Sequence, residues 1–258
     1  MQVREMFNLE GRVAVVTGGS IGLGEQMCMA LAEAGASVVV ASRKLERCEA
    51  TAEKLRGLGV KALAVKCDVA QVEDVQSMVD FTVREFGRLD ILINNAGVTW
   101  GALTEDYPLE RWQKIMDVNV TGTFLCCQKA GKVMIGQKYG KIINITSICG
   151  FVGKDPEIMH AIGYHASKGA VISFTRDLAA KWAQYGITVN AIAPGWFPTH
   201  MSRHVINEKG EILLRHIPLR RFGTGDDIKG AAVFLASPAS DYNITGHVLC
   251  VDGGYLAV

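Results

Sequence analysis

Short β-branched runs alternate along this chain with longer amphipathic stretches, and that alternation most limits the folds open to it. "RVAVVTGG", "SVVVASR", "VKALAVKCDV", "LDILINNAG", "GKIINITS", "ITVNAIAPG" and "GHVLCVDGG" read as strands, several of them ending in glycine. Between them, apolar residues recur at helical spacing in "GLGEQMCMALAEAGA", "KLERCEATAEKLRGLG", about Val72 to Phe86, Leu109 to Lys138, about Tyr164 to Gln184 and Asp226 to Leu235. The hydrophobic period switches from about 2 to about 3.6 and back. Apolar strands separated by helices belong to a parallel sheet covered on both faces, because parallel neighbours need crossover connections. The expectation is an α/β chain, one doubly wound domain over residues 1–258, with no Pro- or Ser-rich linker and no internal repeat. Its least regular stretch, residues 195–219, follows a strand end and is expected to be a flexible loop or short helical lid beside a site.

Charge narrows the partners. The net charge is +1 with no long run of one sign, so neither a nucleic-acid surface nor a polybasic membrane patch is indicated; a small-molecule substrate or further subunits are expected. "MQVREMFNLEGR" lacks the apolar core of a signal peptide and no stretch of eighteen apolar residues occurs, so a cytoplasmic location is expected. Seven cysteines without a C-x-x-C pair fit reduced, buried thiols. His200 and His204 lie four apart, but no carboxylate or cysteine nearby completes a ligand set, so no metal is expected.

"TGGSIGLG" follows the first strand and opens the first helix, the context in which glycines cradle a phosphate. Gly18 permits a tight turn, Gly22 and Gly24 allow close approach, and the helix N-terminus offers free N–H groups to a pyrophosphate; Ser20, Ile21 and Leu23 complete the turn. At the end of the second strand, where a dinucleotide fold places the adenosine ribose, stands "ASRK". Ser42 replaces the acid that would accept a 2′-hydroxyl, and Arg43 and Lys44 supply positive charge, so NADP(H) is favoured over NAD(H). In "GYHASKG", Tyr164 and Lys168 are four apart and share one face of a helix.

Taken in order, "TGGSIGLG", "CDV", "NNAG", "DVNV", "ITSICG", "YHASK", "APGW" and "VDGG" resemble the short-chain dehydrogenase/reductase family over nearly the whole chain. The resemblance implies a seven-stranded Rossmann-type parallel sheet with helices on both faces, oxidoreductase activity with a nicotinamide cofactor, and a homotetramer. It implies that Tyr164 is the general acid or base, its phenol lowered by the Lys168 ammonium, and that Ser147 donates to the substrate oxygen, with Thr146 as the neighbouring hydroxyl. It also implies that Lys168 binds the nicotinamide ribose and that Asn119 holds a water linking the lysine to solvent. Asp68 and Val69 would contact adenine, Asn95 the adenosine side, and Pro194, Gly195 and Thr199 the nicotinamide end. Asn94 is either a binding residue or a sheet-stabilising one.

Departures from the family pattern bear on the substrate. From Ser147 to Tyr164 is 17 positions, several more than in many family members, so "KDPEIMHAI" must border the pocket. Trp100, Met159, His160 and Trp196, with Ser147 and Phe197, are the candidate pocket residues. Members that reduce 3-oxoacyl groups on acyl carrier protein dock it with basic residues; Lys138 fits one such position, but Tyr185 stands where arginine is common. Members of the gluconate 5-dehydrogenase type share the opening, the "ASR" strand end and the "RRFG" stretch, which favours a small hydroxy or keto acid. A nucleotide-sensing or scaffold protein remains the alternative outside enzymes, against which the complete Ser147, Tyr164 and Lys168 set argues.

Overall fold

The computed structural model describes residues 2–241 and 243–258. The strands are β1 (Val13–Thr17), β2 (Ser37–Ser42), β3 (Ala62–Lys66), β4 (Ile91–Asn94), β5 (Gly140–Ile145), β6 (Ile187–Pro194) and β7 (Val248–Val251). The helices are α1 (Val3–Met6), α2 (Gly22–Glu33), α3 (Leu45–Arg56), α4 (Val72–Phe86), α5 (Leu109–Met116), α6 (Gly122–Gln137), α7 (Ile162–Trp182), α8 (Arg203–Arg215) and α9 (Gly225–Ala236). All seven strands pair in parallel in the order β3-β2-β1-β4-β5-β6-β7.

Alternate residues of each strand feed opposite faces of the sheet. Ala14, Val16, Val38, Val40, Ile91 and Ile93 pack with Met27 and Leu31 of α2 and Ile228 and Leu235 of α9. Val15, Val39, Leu92 and Val189 pack on the other side with Met78 of α4, Leu125 and Met134 of α6, and Leu178 of α7. Each such Val, Leu, Ile or Met side chain, once fully buried, contributes about 1.5–3 kcal/mol, which is why the strand segments are mostly apolar. Five cysteines join these two layers as small hydrophobes: Cys28 and Cys48 on one face, Cys67, Cys126 and Cys127 on the other.

Parallel strands bring all their C-terminal ends to one edge. The order reverses at β1, whose neighbours are β2 and β4, so a crevice opens above it, the position where open α/β sheets bind ligands. Asn94 belongs to the sheet, donating to Asn144 Oδ1 (2.8 Å), while Asn144 donates to Thr175 Oγ1 on α7 (3.0 Å). The 195–219 segment is mostly helical: Val205, Ile206, Ile212, Leu213 and Leu214 of α8 pack on a third cluster built around Ile148, Ile158 and Trp196. A π-helical turn at Asp117–Thr121 joins α5 to α6, within the Leu109 to Lys138 span where the sequence predicts helices.

Candidate active site

The turn after β1 is closed by contact with β4. Gly18 and Gly22 have φ of +63° and +59°, and a Cβ on Gly24 would lie 2.2 Å from Gly18 O and 2.5 Å from Asn95 Nδ2. Asn95 fixes the turn from β4, donating from Nδ2 to Thr17 O (3.1 Å) and Gly18 O (3.0 Å). Ile21 caps α2 without any side-chain hydrogen bond, so the first N–H groups of the helix have no side-chain acceptor at the N-cap. These N–H groups and the helix dipole fit a pyrophosphate.

A cleft of about 360 Å³ runs from this turn along the C-terminal edge of the sheet. Gly18, Ser20, Ile21, Gly22, Leu23 and Gly24 line one part, and Arg43, Asp68, Val69, Asn95, Pro194, Gly195 and Thr199 extend it. Ser147, Tyr164 and Lys168 stand in the same cleft. At the end of β2, Ser42 Oγ accepts from Ser20 Oγ (3.0 Å) and from Lys44 N (3.3 Å). Arg43 and Lys44 line the cleft together with Arg47, which the sequence analysis missed although it lies one helical turn beyond Arg43. Asp68 also lines it, its Oδ1 accepting from Ala70 N (3.1 Å). The loop residues Ala96 and Gly97 of the "NNAG" motif and Val98 beyond it, and His200, Met201 and Ser202 after β6, are further cleft residues to which the sequence assigned no cofactor role.

Ser147 sits just past β5, and α7 carries Tyr164 and Lys168 one turn apart. Ser147 Oγ accepts from Cys149 N (3.1 Å), which leaves its own O–H free to donate. Thr146, the neighbouring hydroxyl, donates to Lys168 O (2.8 Å) and is thereby tied to α7. Lys168 Nζ donates to Ile145 O (2.7 Å) and lies 5.5 Å from the Tyr164 ring centroid. Burial pulls this lysine down to about 8, partly opposed by Cys149.

Burial and the nearby Cys149 push the Tyr164 phenol above its ordinary value, against the opposing effect of Ser147. This corrects the sequence expectation of a phenol lowered by Lys168. The ammonium is committed to the Ile145 carbonyl, and desolvation of the phenol dominates in the chain alone.

Asn119 lies in the π-helical turn and is buried outside the cleft lining. Its Oδ1 accepts from Val98 N (2.8 Å), and its Nδ2 donates to Val98 O (2.9 Å) and Ser167 Oγ (2.9 Å). It joins the loop after β4 to α7, and among the described residues it makes no hydrogen bond to Lys168.

Four of the residues assigned to a substrate pocket, Trp100, Met159, His160 and Trp196, lie outside the lining of this cleft. Trp100 packs edge-on against Tyr107 at 5.1 Å, with the Arg111 guanidinium 5.5 Å from its ring. Met159 and Trp196 pack in the cluster that Tyr164 borders, and Trp196 also faces a separate cavity of about 300 Å³. His160 is exposed, its carbonyl turned toward Gly101. Large apolar side chains gain more from this packing than from an open wall. Among the described residues no three His, Cys, Asp or Glu side chains gather as a metal site, and His204 Nδ1 lies 3.3 Å from Glu208. No helix of the described residues is long and apolar enough to cross a membrane.

The sequence of residues 12–210 matches the family model described as short chain dehydrogenase. The chain belongs to the short-chain dehydrogenase/reductase family. A 3-oxoacyl-[acyl-carrier-protein] reductase of Synechocystis sp. is 40% identical over 251 residues, covering 96% of this chain and 98% of that protein. A 2-dehydro-3-deoxy-D-gluconate 5-dehydrogenase of Dickeya dadantii is 38% identical over 254 residues, covering 97% of this chain and 98% of that protein. A gluconate 5-dehydrogenase from Burkholderia cenocepacia J2315, solved in complex with NADP and tartrate, superposes with a TM-score of 0.94 at 36% identity, covering all of both chains. As a short-chain dehydrogenase/reductase this protein is an oxidoreductase with a Rossmann-type sheet. The glycine turn, the free start of α2 and the cleft fit the nicotinamide dinucleotide of this family.

Proposed function

We propose that the protein is an NADP(H)-dependent oxidoreductase that interconverts a secondary alcohol and a ketone on a small hydroxy or keto acid in the cytoplasm, and that it assembles as a homotetramer. The convergence of Ser147, Tyr164 and Lys168 in the cleft that begins at the α2 N-terminus carries the chemistry. Arg43, Lys44 and Arg47 support a 2′-phosphate, since guanidinium and ammonium groups pair with it and Ser42 stands where an acid would exclude it. The residues of this cleft would hold the nicotinamide cofactor, which would supply or accept the hydride at the substrate carbon.

Tyr164 moves the proton at the substrate oxygen. With its phenol raised it is protonated at neutral pH and ready to act as the acid in carbonyl reduction. The Ser147 O–H stabilises negative charge developing on the same oxygen. Lys168, held by Ile145 O and lining the cleft, would bind the nicotinamide ribose. Asn119 keeps the Val98 loop and α7 in register, a positioning role.

The sugar-acid substrate is supported by the gluconate-type relatives and by Tyr185, which is exposed where carrier-protein reductases commonly have arginine. A second reading, 3-oxoacyl-carrier-protein reduction, is favoured by the identity with the Synechocystis protein. NADPH oxidation with 5-ketogluconate and an acetoacetyl thioester in parallel, with NADH as control, separates them. Faster thioester turnover refutes the sugar-acid assignment. Tyr164→Phe is expected to retain NADPH binding and lose turnover by about 10²–10⁴-fold; unaltered turnover would remove Tyr164 from the mechanism.

A further inference from the structure

Among the described residues, six buried side-chain polar atoms have no hydrogen-bond partner in reach, and three of them, Lys154 Nζ, His165 Nε2 and Trp196 Nε1, belong to residues in or against the cluster that Tyr164 borders. Unsatisfied buried polar groups are rare in folded proteins and ask for an explanation. Lys154 and Trp196 carry N–H groups with no acceptor. His165 holds Ala161 O through Nδ1 (2.9 Å) and is drawn to the Cys149 side chain, so the donors left without an acceptor are those of Lys154 and Trp196.

The three belong to one neighbourhood. Trp196 is 7% exposed and packs with Cys149 and Ile158, and Tyr164 borders the same cluster. Lys154 lies in the long connection between Ser147 and Tyr164, which Ile158 anchors in that cluster, and its ammonium stands 3.6 Å from the Tyr255 ring centroid. The ring satisfies one side of the ammonium but accepts no conventional hydrogen bond. Burial pulls Lys154 down to about 8, opposed by the charges of Cys149 and Asp252. Cys149 is itself pushed up by burial, but His165, Lys154 and Ser147 outweigh that and its net displacement is downward. Lys154 is therefore electrostatically coupled to the residue two positions beyond Ser147. Val205, Ile206 and Ile212 of α8 supply an apolar wall to the same cluster.

We propose that Lys154 determines specificity by taking the carboxylate of a hydroxy or keto acid whose reacting carbon faces Ser147 and Tyr164, with Trp196 Nε1 donating to an oxygen of the same molecule. This rests on, and narrows, the acid substrate class proposed above. A six-carbon acid that reacts at C5 carries its carboxylate four bonds away, about 5 Å when extended, so the cation that reads it belongs beside the catalytic residues and not among them. Neutral ketones and acyl thioesters have no anion to offer at this point.

Equilibrium binding tests the assignment independently of turnover. With saturating NADPH, so that an alcohol cannot react, gluconate and the neutral polyol glucitol are titrated into the wild type, Lys154→Met and Lys154→Arg, each first checked for a native circular-dichroism spectrum and NADPH affinity. The wild type should bind gluconate at least about tenfold more tightly than glucitol. Lys154→Met should weaken gluconate by about 10–100-fold, within the range of a charge-assisted hydrogen bond, and leave glucitol within about threefold. Lys154→Arg should recover most of the loss, and Trp196→Phe should weaken gluconate by a smaller factor. Equal binding of acid and polyol by the wild type, or equal weakening of both by Lys154→Met, overturns the proposal. Tight, Lys154-dependent binding of gluconate without turnover of 5-ketogluconate would leave Lys154 in place and refute the proposed substrate.

Discussion

Gly24→Ala should damage both the fold and cofactor binding, whereas Gly22→Ala, two positions earlier, should be mild. At Gly24 the new methyl would sit 2.2 Å from Gly18 O, 2.5 Å from Asn95 Nδ2 and 2.9 Å from Gly18 C. Two of these are backbone atoms of the turn, so α2 must move away from β1 by about 1 Å to reach ordinary contact. Such overpacking costs about 1–3 kcal/mol. The move also strains the Asn95 bonds to Thr17 O and Gly18 O, each worth about 0.5–1.5 kcal/mol. A loss of about 2–5 kcal/mol is expected, a large part of a typical stability of about 5–15 kcal/mol. At Gly22 the nearest atoms are 3.7 and 3.8 Å away on Thr199, and only the φ of +59° opposes a side chain, at about 1–2 kcal/mol. Urea unfolding measures the stability difference, and NADPH fluorescence titration measures display of the α2 N–H groups. NADPH affinity should fall on the order of 100-fold in Gly24→Ala, equivalent to about 2.7 kcal/mol, and much less in Gly22→Ala. Equal losses in the two variants, or a Gly24→Ala protein as stable as wild type, would refute the steric argument.

Ser147→Ala should lower kcat by about 10²–10³-fold with little effect on stability; Thr146→Val, which deletes the bond to Lys168 O, should do the reverse and lower the unfolding free energy by about 1 kcal/mol. Arg43→Ala should raise the KM for NADPH by about 10–100-fold and leave that for NADH nearly unchanged, because only the 2′-phosphate loses a partner; parallel rises would remove Arg43 from cofactor selection. Lys168 is pulled by burial from 10.5 to about 8, so between those values the unfolded chain binds more protons than the folded one, and this residue's contribution to stability rises with pH. Relative to Lys168→Met, the wild type should gain up to about 3 kcal/mol in unfolding free energy between pH 7 and pH 10, read from urea titrations at each pH; a constant difference would contradict the depressed lysine.

Strand positions were legible because burial on both faces keeps most of their side chains apolar, as the runs around Val15, Val39 and Leu92 show. The phosphate turn was legible for a related reason: only glycine tolerates the close approach at position 24, so the chemistry and the residue type coincide. The π-helical turn at Asp117–Thr121 left no trace, since one extra residue in a helical turn changes neither composition nor the apolar spacing within a few residues. The helix α8 was obscured by Gly210 and by charged residues between Ile206 and Ile212, although its apolar positions are helically spaced and meet the cluster around Trp196. Arg47 was overlooked because the motif ends at the strand, while the cleft continues over the first turn of α3.

What the catalytic pair does to its own protons could not be read from spacing. Four positions on a helix place Tyr164 and Lys168 on one face, but the ionisation of each depends on what else that face meets. Packing α7 against β5 puts a carbonyl, Ile145 O, 2.7 Å from the ammonium, and it buries the phenol beside Cys149. The same desolvation therefore moves the two groups in opposite directions, the lysine toward neutrality and the tyrosine toward retention of its proton. A chain in this state is prepared to donate a proton, and it needs additional positive charge near the phenol before Tyr164 can serve as a base. The oxidative direction should consequently require higher pH than the reductive one, with the acid limb of alcohol oxidation following Tyr164 and disappearing in Tyr164→Phe. Identical pH profiles in the two directions would show that the electrostatics of the cofactor-free chain do not govern the proton transfer.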